Sequence, residues 1–572
     1  MPCPLLRNSA PSAVPPKDRA DAAEQRRTDC NGPRVQTGIV NREYPTFRRP
    51  VYAKNVVATS QPLAAQAGLR MMLQGGNAVD AAIATAIALT VVEPTSNGIG
   101  SDAFAIVWDG SELHGLNASG RSPAGWTSDR FAGLEKMPQR GWDSVTVPGA
   151  VSAWVALSSR FGRLPFEKLF DLAIDYARNG YPVTPIIAKS WARGAEVLAG
   201  EPGFADVFAP APEAGQIWRS AEMAATLERI ALTGGEAFYR GDLAERMIAF
   251  SRECGGVMSM EDLESHQADW VGTISGSFHG HDIHEIPPNG QGISALMALG
   301  ILEQWDRRIH SAEGQSPFRD LDPDGVESIH LQVEAMKLAF ADLHHHIADP
   351  ASMDVKSRDL LSPAYLRERA SQIDASRAGS FSYGVPSPGG TVYLTAADEA
   401  GMMVSFIQSN YMGFGSGIVV PGTGISMQNR GCGFRSRPGH VNSVGPRKRP
   451  FHTIIPSFVM RDGRPEMSFG VMGGHMQPQG HLQMAIRVLM HGQSCQAASD
   501  APRWQVTESG GLLVEGAMDA SVIDGLRNLG HDVVVELGYA NQAFGGAQLI
   551  RRRDGYYAAG SDHRKDGVAV GY

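Results

Sequence analysis

Long apolar runs are missing from this chain. The most hydrophobic stretch, Ala78 to Val92, contains Asp80 and falls short of the roughly 20 residues that a membrane-spanning helix needs. The first residues carry Pro2, Pro4 and Arg7 and no uninterrupted apolar core, which argues against a secretory signal. Cysteine is scarce: five residues in 572, at Cys3, Cys30, Cys254, Cys432 and Cys495. The number is odd and no CxxC or metal-ligand spacing occurs, so a reduced, cytoplasmic protein is expected, with no metal and no cofactor. Excess positive charge is also missing. The net charge is −9, which gives a nucleic-acid partner no electrostatic support. The one dense basic run, Arg551-Arg552-Arg553, is followed by Asp554 and reads as a solvated turn.

What is present is ordinary globular material, 43% hydrophobic and 19% charged. Residues 1–45, rich in Pro, Arg, Asp and Ala, read as a disordered arm. Folded sequence begins near Val51. Val56 to Thr59 reads as a buried strand and Pro62 to Leu73 as a helix closed by Gly75-Gly76. Asn77 is placed to cap the next helix, Ala78 to Val92. The turn Asn97-Gly98-Ile99-Gly100-Ser101-Asp102 is rich in glycine, but it precedes a strand (Ala103 to Trp108) rather than opening a helix. It also lacks phosphate-loop spacing. The middle of the chain is mainly helical, with helical periodicity at Phe166–Asn179, Ala221–Thr233 and Ile329–His346. His344-His345-His346 looks like a metal tract. However, consecutive side chains on a helix diverge by about 100°, so a surface helix end is expected there.

From about residue 375 the texture changes. Residues 376–390 are loop-like and end in Gly389-Gly390. Thr391 to Thr395 then forms the first strand of a hairpin, with a turn at Asp398 to Gly401 and a second strand from Met402 to Ile407. A threonine hydroxyl is a poor nucleophile without a base. A threonine at a chain terminus carries its own base, since an α-amine has a pKa near ~8. To expose such a terminus, the Thr391 hydroxyl must attack the Gly390 carbonyl behind it, and two glycines leave the chain free to allow that approach.

Around this candidate the chain resembles the gamma-glutamyltranspeptidase family over roughly residues 50 to 572. The resemblance rests on Gly75 to Ala82, Val92-Glu93-Pro94, Gly98-Ile99-Gly100, Val147-Pro148-Gly149, Pro287-Pro288 and Glu334 to Asp342. It continues with Thr391, Phe414 to Gly417, Lys448-Arg449-Pro450, Gly473-Gly474, Asp500 to Arg503 and Gly567 to Tyr572. It implies a mixed α/β (α+β) N-terminal nucleophile hydrolase fold, an αββα sandwich of two stacked sheets between helical layers. It also implies autocleavage between Gly390 and Thr391 into a large subunit (46–390) and a small one (391–572) that stay associated. An acyl-enzyme on Thr391 follows from the family, as do Gly473 and Gly474 as oxyanion donors. Asn410 matches the family asparagine, and Gln408 matches a hydroxyl residue that supports the nucleophile. No nucleic-acid or membrane partner is implied, and a homodimer is compatible.

The substrate pocket departs from the family pattern. The arginine expected to hold a glutamyl α-carboxylate is offset. Ser119 stands at its position, and Arg121, two residues on, either reaches the same carboxylate or serves as a structural cation. Where the family holds the α-amine, Arg430 and Gly433 stand instead of a glutamine and an acidic residue. His452-Thr453 replaces a serine pair. Removing the carboxylate that pairs a buried ammonium costs several kcal/mol, and Arg430 acts in the same direction. Three readings follow: a gamma-glutamyl hydrolase or transferase acting on glutathione or related amides, an amidohydrolase or acylase for an oxamate- or glutaryl-type amide, and an uncleaved binding protein.

Overall fold

The computed structural model describes residues 48–309, 316–380, 390–507, 509–537 and 543–572. The expected arm at 1–45 and most of the loop before Thr391 lie outside these residues.

Two antiparallel seven-stranded sheets dominate. Their strands are β1 (Val51–Ala53), β2 (Val56–Thr59), β3 (Asp102–Trp108), β4 (Leu113–Asn117), β5 (Asp269–Trp270), β6 (Ile274–Phe278) and β7 (His281–Glu285). After these come β8 (Gly390–Ala397), β9 (Met403–Tyr411), β10 (Ser457–Arg461), β11 (Arg464–Met472), β12 (Gly546–Arg553), β13 (Tyr556–Ser561) and β14 (Val568–Gly571). One sheet runs β14-β2-β8-β9-β3-β4-β5 and the other β1-β13-β12-β11-β10-β7-β6.

The layering follows from strand alternation. Val392, Leu394 and Ala396 of β8 pack outward with Val404 and Phe406 of β9 against a helical core. Tyr393 and Ala397 turn inward with Met403 and Ile407, where they meet Phe458 and Met472 of the second sheet. The second sheet's other face, through Val459, Met467, Phe469 and Val471, packs on its own helices. The molecule is therefore the αββα sandwich that the family resemblance implies.

The outer layers contain α1 (Pro62–Leu73), α2 (Ala78–Val92) and α3 (Ala150–Phe161) on the first sheet. On the second lie α4 (Gly292–Ile309), α5 (Val326–His346) and α6 (Met476–Ala485). Every residue of α2 is buried, as its all-round apolar, alanine-rich sequence requires. Asn77 starts it with a capping box: its side chain accepts from Val79 and Asp80 N–H, and the Asp80 carboxylate accepts from the Asn77 N–H. Such a cap stabilises a helix by about 1 kcal/mol.

Three local expectations change. The Phe166–Asn179 helix begins as a 3-10 segment, Phe166–Phe170, before the α-helix Asp171–Asn179. The three arginines at 551–553 end strand β12 instead of forming a turn, and Arg551 pairs with Glu466 at 2.5 Å. The histidine tract does close a helix, but His344 is buried beneath Phe451 and His475 rather than lying at the surface.

Candidate active site

Thr391 lies at an irregularity in the β8–β9 pairing. Gly390 pairs with Tyr411 and Val392 with Gln408, so the single residue Thr391 faces two, Ser409 and Asn410. This is a β-bulge, a device that re-aims side chains and is common beside active sites. The bulge ends at Tyr411, whose φ of 77° is unusual for an aromatic residue.

The Thr391 side chain is buried between the sheets and 1% exposed. Its hydroxyl donates to Ser409 Oγ at 3.3 Å and accepts from Gln477 Nε2 at 3.4 Å. Ser409 Oγ also accepts the Tyr411 N–H at 2.7 Å and an Arg430 guanidinium N–H at 2.8 Å. Arg430 donates further to Thr453 Oγ1 at 2.6 Å, and its guanidinium lies 4.5 Å from the centre of the Tyr411 ring. Burial lowers its pKa to about 10, so it remains a cation at neutral pH. Its Nε has no hydrogen-bond partner among the described residues.

Asp102, opposite Ser409 on β3, accepts from His452 Nε2 at 3.1 Å and from the Gly120 N–H at 3.2 Å. Burial raises the Asp102 carboxyl to about 7, against the opposing charge of Arg430. His452 is held neutral, first by burial and then by Arg430 and Arg449. Its Nδ1 accepts the Ile454 N–H at 3.3 Å, which leaves the proton on Nε2, facing the carboxylate.

Gly473 and Gly474 form the turn from β11 into α6, with φ of 122° and 61°. Both values favour glycine. Among the described residues neither backbone N–H is taken by another group. The turn is tied to Thr391 through Gln477, whose backbone N–H donates to the Gly474 carbonyl at 3.2 Å. Gln291 Nε2 bridges the carbonyls of Gly474 and Thr453 at 2.8 and 2.5 Å. Thr391, Ser409, Arg430, Thr453 and the Gly473-Gly474 turn therefore belong to one connected cluster, with His452 and Asp102 behind it.

Other candidates lie elsewhere. Gln408 does not support the nucleophile. Strand alternation turns it to the opposite face, where its amide accepts from Trp154 Nε1 at 3.0 Å and donates to Asn97 at 2.7 Å. Ser409, overlooked in the sequence, is the hydroxyl beside Thr391. Asn410 bonds Ser101 at 2.8 Å and Ser426 at 3.1 Å. It braces the glycine-rich turn at 97–102, where a Cβ on Gly98 would fall 2.0 Å from Ser426 Oγ. Close backbone packing explains those glycines without a phosphate. Arg121 is half exposed and pairs with Asp349 at 3.3 Å, in a surface cleft of about 220 Å³ with Asp262, His266 and Asp269. No described contact brings it to Thr391, and the structural-cation alternative fits that placement. Gly433 has no room for an acidic side chain, because a Cβ there would lie 2.8 Å from the Phe451 carbonyl oxygen.

Two clusters elsewhere among the described residues have the residue types of a metal site, Asp109-Glu112-His114 at a partly exposed turn and a fully buried one. Ligand atoms of His330, Glu334 and His531 lie within 4.8 Å of one another. They already satisfy each other: His330 bonds His531 at 2.8 Å, and Lys337 Nζ pairs with Glu334 at 2.9 Å.

Comparison with known proteins adds three likenesses. A glutathione hydrolase-like YwrD proenzyme of Bacillus subtilis is 36% identical over 530 residues, covering 91% of this chain and 98% of that protein. An oxamate amidohydrolase proenzyme of Klebsiella pneumoniae is also 36% identical, over 527 residues, covering 89% and 97%. The solved structure of a cephalosporin acylase from Bacillus halodurans superposes with a TM-score of 0.86 at 46% identity, covering 94% of this chain and 99% of that one. A gamma-glutamyltranspeptidase family model matches residues 64–572. On this match, and on the fold and motifs beneath it, the chain belongs to the gamma-glutamyltranspeptidase family.

Proposed function

We propose that this protein is a self-cleaving amidohydrolase whose nucleophile is Thr391, and that its acyl substrates carry a carboxylate but no α-amine. Cleavage begins when Thr391 Oγ attacks the Gly390 carbonyl. The peptide bond becomes an ester, and water releases Gly390 as a carboxylate and Thr391 as a free amine. In the mature enzyme that amine takes the Thr391 hydroxyl proton as the oxygen attacks the substrate amide, then passes the proton to the leaving amine. Water resolves the acyl-enzyme. The unused N–H groups of Gly473 and Gly474 would receive the oxyanion, a contribution of ~10²–10³ in rate per donor. The positive Arg430, one hydroxyl away, disfavours protonation of the new amine and so holds more of it as the free base near neutral pH.

The observation that carries the substrate claim is Arg430: a buried cation whose guanidinium touches two hydroxyls and an aromatic ring, with Nε unpaired among the described residues. A carboxylate on the acyl group would satisfy it, whereas a glutamyl ammonium would be repelled and would find no acidic side chain at position 433. The relatives named for oxamate and cephalosporin substrates are compatible with this choice, and the glutathione hydrolase-like relative keeps the gamma-glutamyl reading as its rival.

Two measurements test the proposal. Mass spectrometry of the purified protein should find a fragment beginning at Thr391, and a Thr391→Ala variant should remain one chain of 61.3 kDa. Steady-state assays should then show turnover of a glutaryl anilide or of oxamate well above that of a gamma-glutamyl anilide. The reverse order would return the protein to gamma-glutamyl chemistry.

A further inference from the structure

His475 follows the Gly473-Gly474 turn and leads into α6. Its ring lies parallel to Phe451, with centroids 5.9 Å apart and planes 5° apart, and sits 5.8 Å from the His344 ring. It is 2% exposed, and neither ring nitrogen has a hydrogen-bond partner among the described residues. Buried polar atoms are rarely left unpaired in folded proteins, and each exception calls for a ligand, a water or a functional reason. The Arg430 Nε is another such atom in the same region.

The two residues share a wall. The His452 N–H donates to the Asn289 carbonyl at 2.9 Å, and the His452 carbonyl accepts the Gln291 N–H at 3.0 Å, so the chain there is held as a strand-like bridge. Side chains alternate along such a segment. His452 points to Asp102, which leaves Phe451 and Thr453 on the opposite side. Arg430 rests on Thr453 and His475 on Phe451. Positions two apart in an extended chain are about 7 Å from each other. Arg430 and His475, each with an unpaired donor, are thus carried by neighbouring positions on one face of this segment.

We propose that His475 is a specificity-determining residue, its imidazole N–H and the Arg430 Nε–H together taking the two oxygens of the carboxylate on the substrate's acyl group. The arrangement balances: one guanidinium charge meets one carboxylate charge, and the second donor is neutral. Burial, with His344 and Arg430 adding to it, keeps the His475 ring uncharged. This inference rests on the carboxylated-acyl reading above and adds a residue to it.

The test compares glutaryl-4-nitroanilide with valeryl-4-nitroanilide, in which a methyl replaces the carboxylate, using the processed full-length protein. Wild type should prefer the glutaryl compound. If it does not, the carboxylate reading fails before any variant is made, and this inference fails with it. Given that preference, His475→Ala should raise KM for the glutaryl anilide about tenfold, as loss of a hydrogen bond to a charged group predicts. Both constants for the valeryl anilide should stay within about twofold of wild type. His475→Asn, which keeps a side-chain N–H, should recover part of the loss and serves as the test if the alanine variant does not fold. An equal fall in kcat on both anilides would assign His475 to shaping the glycine turn alone. Unchanged kinetics would place it outside the subsite. Either result overturns the inference while leaving the carboxylate reading intact.

Discussion

Ser409 stands across the β8–β9 bulge from Thr391, and its single hydroxyl oxygen receives both the Thr391 hydroxyl, at 3.3 Å, and the Arg430 guanidinium, at 2.8 Å. The residue that holds the Thr391 hydroxyl is thus also the residue through which a cation reaches it. Ser409→Ala should slow both self-cleavage and acyl transfer by about tenfold, the scale of one hydrogen bond to a charged group. Ser409→Thr should retain most of the rate. A time course of precursor disappearance on a denaturing gel reads the first effect and a pre-steady-state burst the second. Full activity in Ser409→Ala would remove the residue from the mechanism.

Arg430→Met keeps much of the side-chain volume and removes the charge. KM for a glutaryl anilide should rise about 10- to 100-fold, while the uncharged valeryl anilide should lose far less. Equal losses on the two compounds would mean that Arg430 only supports Ser409 and Thr453.

Gly473 has a φ of 122°, and a Cβ there would approach Gly545 Cα to 3.0 Å. Gly473→Ala therefore asks an L residue for a rare conformation against backbone that cannot yield cheaply. A destabilisation of about 1–3 kcal/mol is expected, with a fall in kcat larger than any change in KM if the displaced N–H is the oxyanion donor proposed above. Thermal melting and steady-state kinetics check the two halves separately.

Asp102 sets a pH dependence of stability. Burial raises its carboxyl from 3.8 to about 7, so between those values the folded chain holds a proton that the unfolded chain has lost. The stabilisation linked to that proton is fully present below 3.8 and is lost as pH rises through about 7. In a Thr391→Ala background, which should stay one chain, the unfolding free energy measured against the same protein carrying Asp102→Asn should decline from pH 4 to pH 7 and level off above. A flat difference would show that Asp102 titrates normally.

Much of this site was legible in the sequence, and the errors have physical causes. The hairpin from Thr391 is legible with its turn at 398–401, and the glycine pair and family motifs point to the right sandwich. That hairpin already contained the answer to the Gln408 error. Pairing Val392 with Gln408 puts Ser409 on the face of Thr391, and a shift of one residue reverses every side chain. Arg121 was not decidable locally, because its partner Asp349 lies 228 residues away. Helix periodicity alone places His344 at the surface, because it cannot reveal that Phe451 and His475, from distant segments, cover that end of α5.

A cut between Gly390 and Thr391 would leave β2 of the large subunit between β14 and β8 of the small one in the first sheet, with the small subunit's β8-β9 pair lying between β2 and β3 of the large one. In the second, β10 to β13 would be flanked by β7 and β1 of the large subunit. The new chain end would be created inside a finished sheet. Two separately made fragments would have to thread their strands between each other, whereas the precursor places them in order while still one chain. Cleavage in this architecture works like removing the scaffolding from an arch: the assembled pair stands, but once taken apart it has lost the connection that ordered its assembly. Denatured mature enzyme should therefore regain activity poorly, while the uncut Thr391→Ala chain refolds.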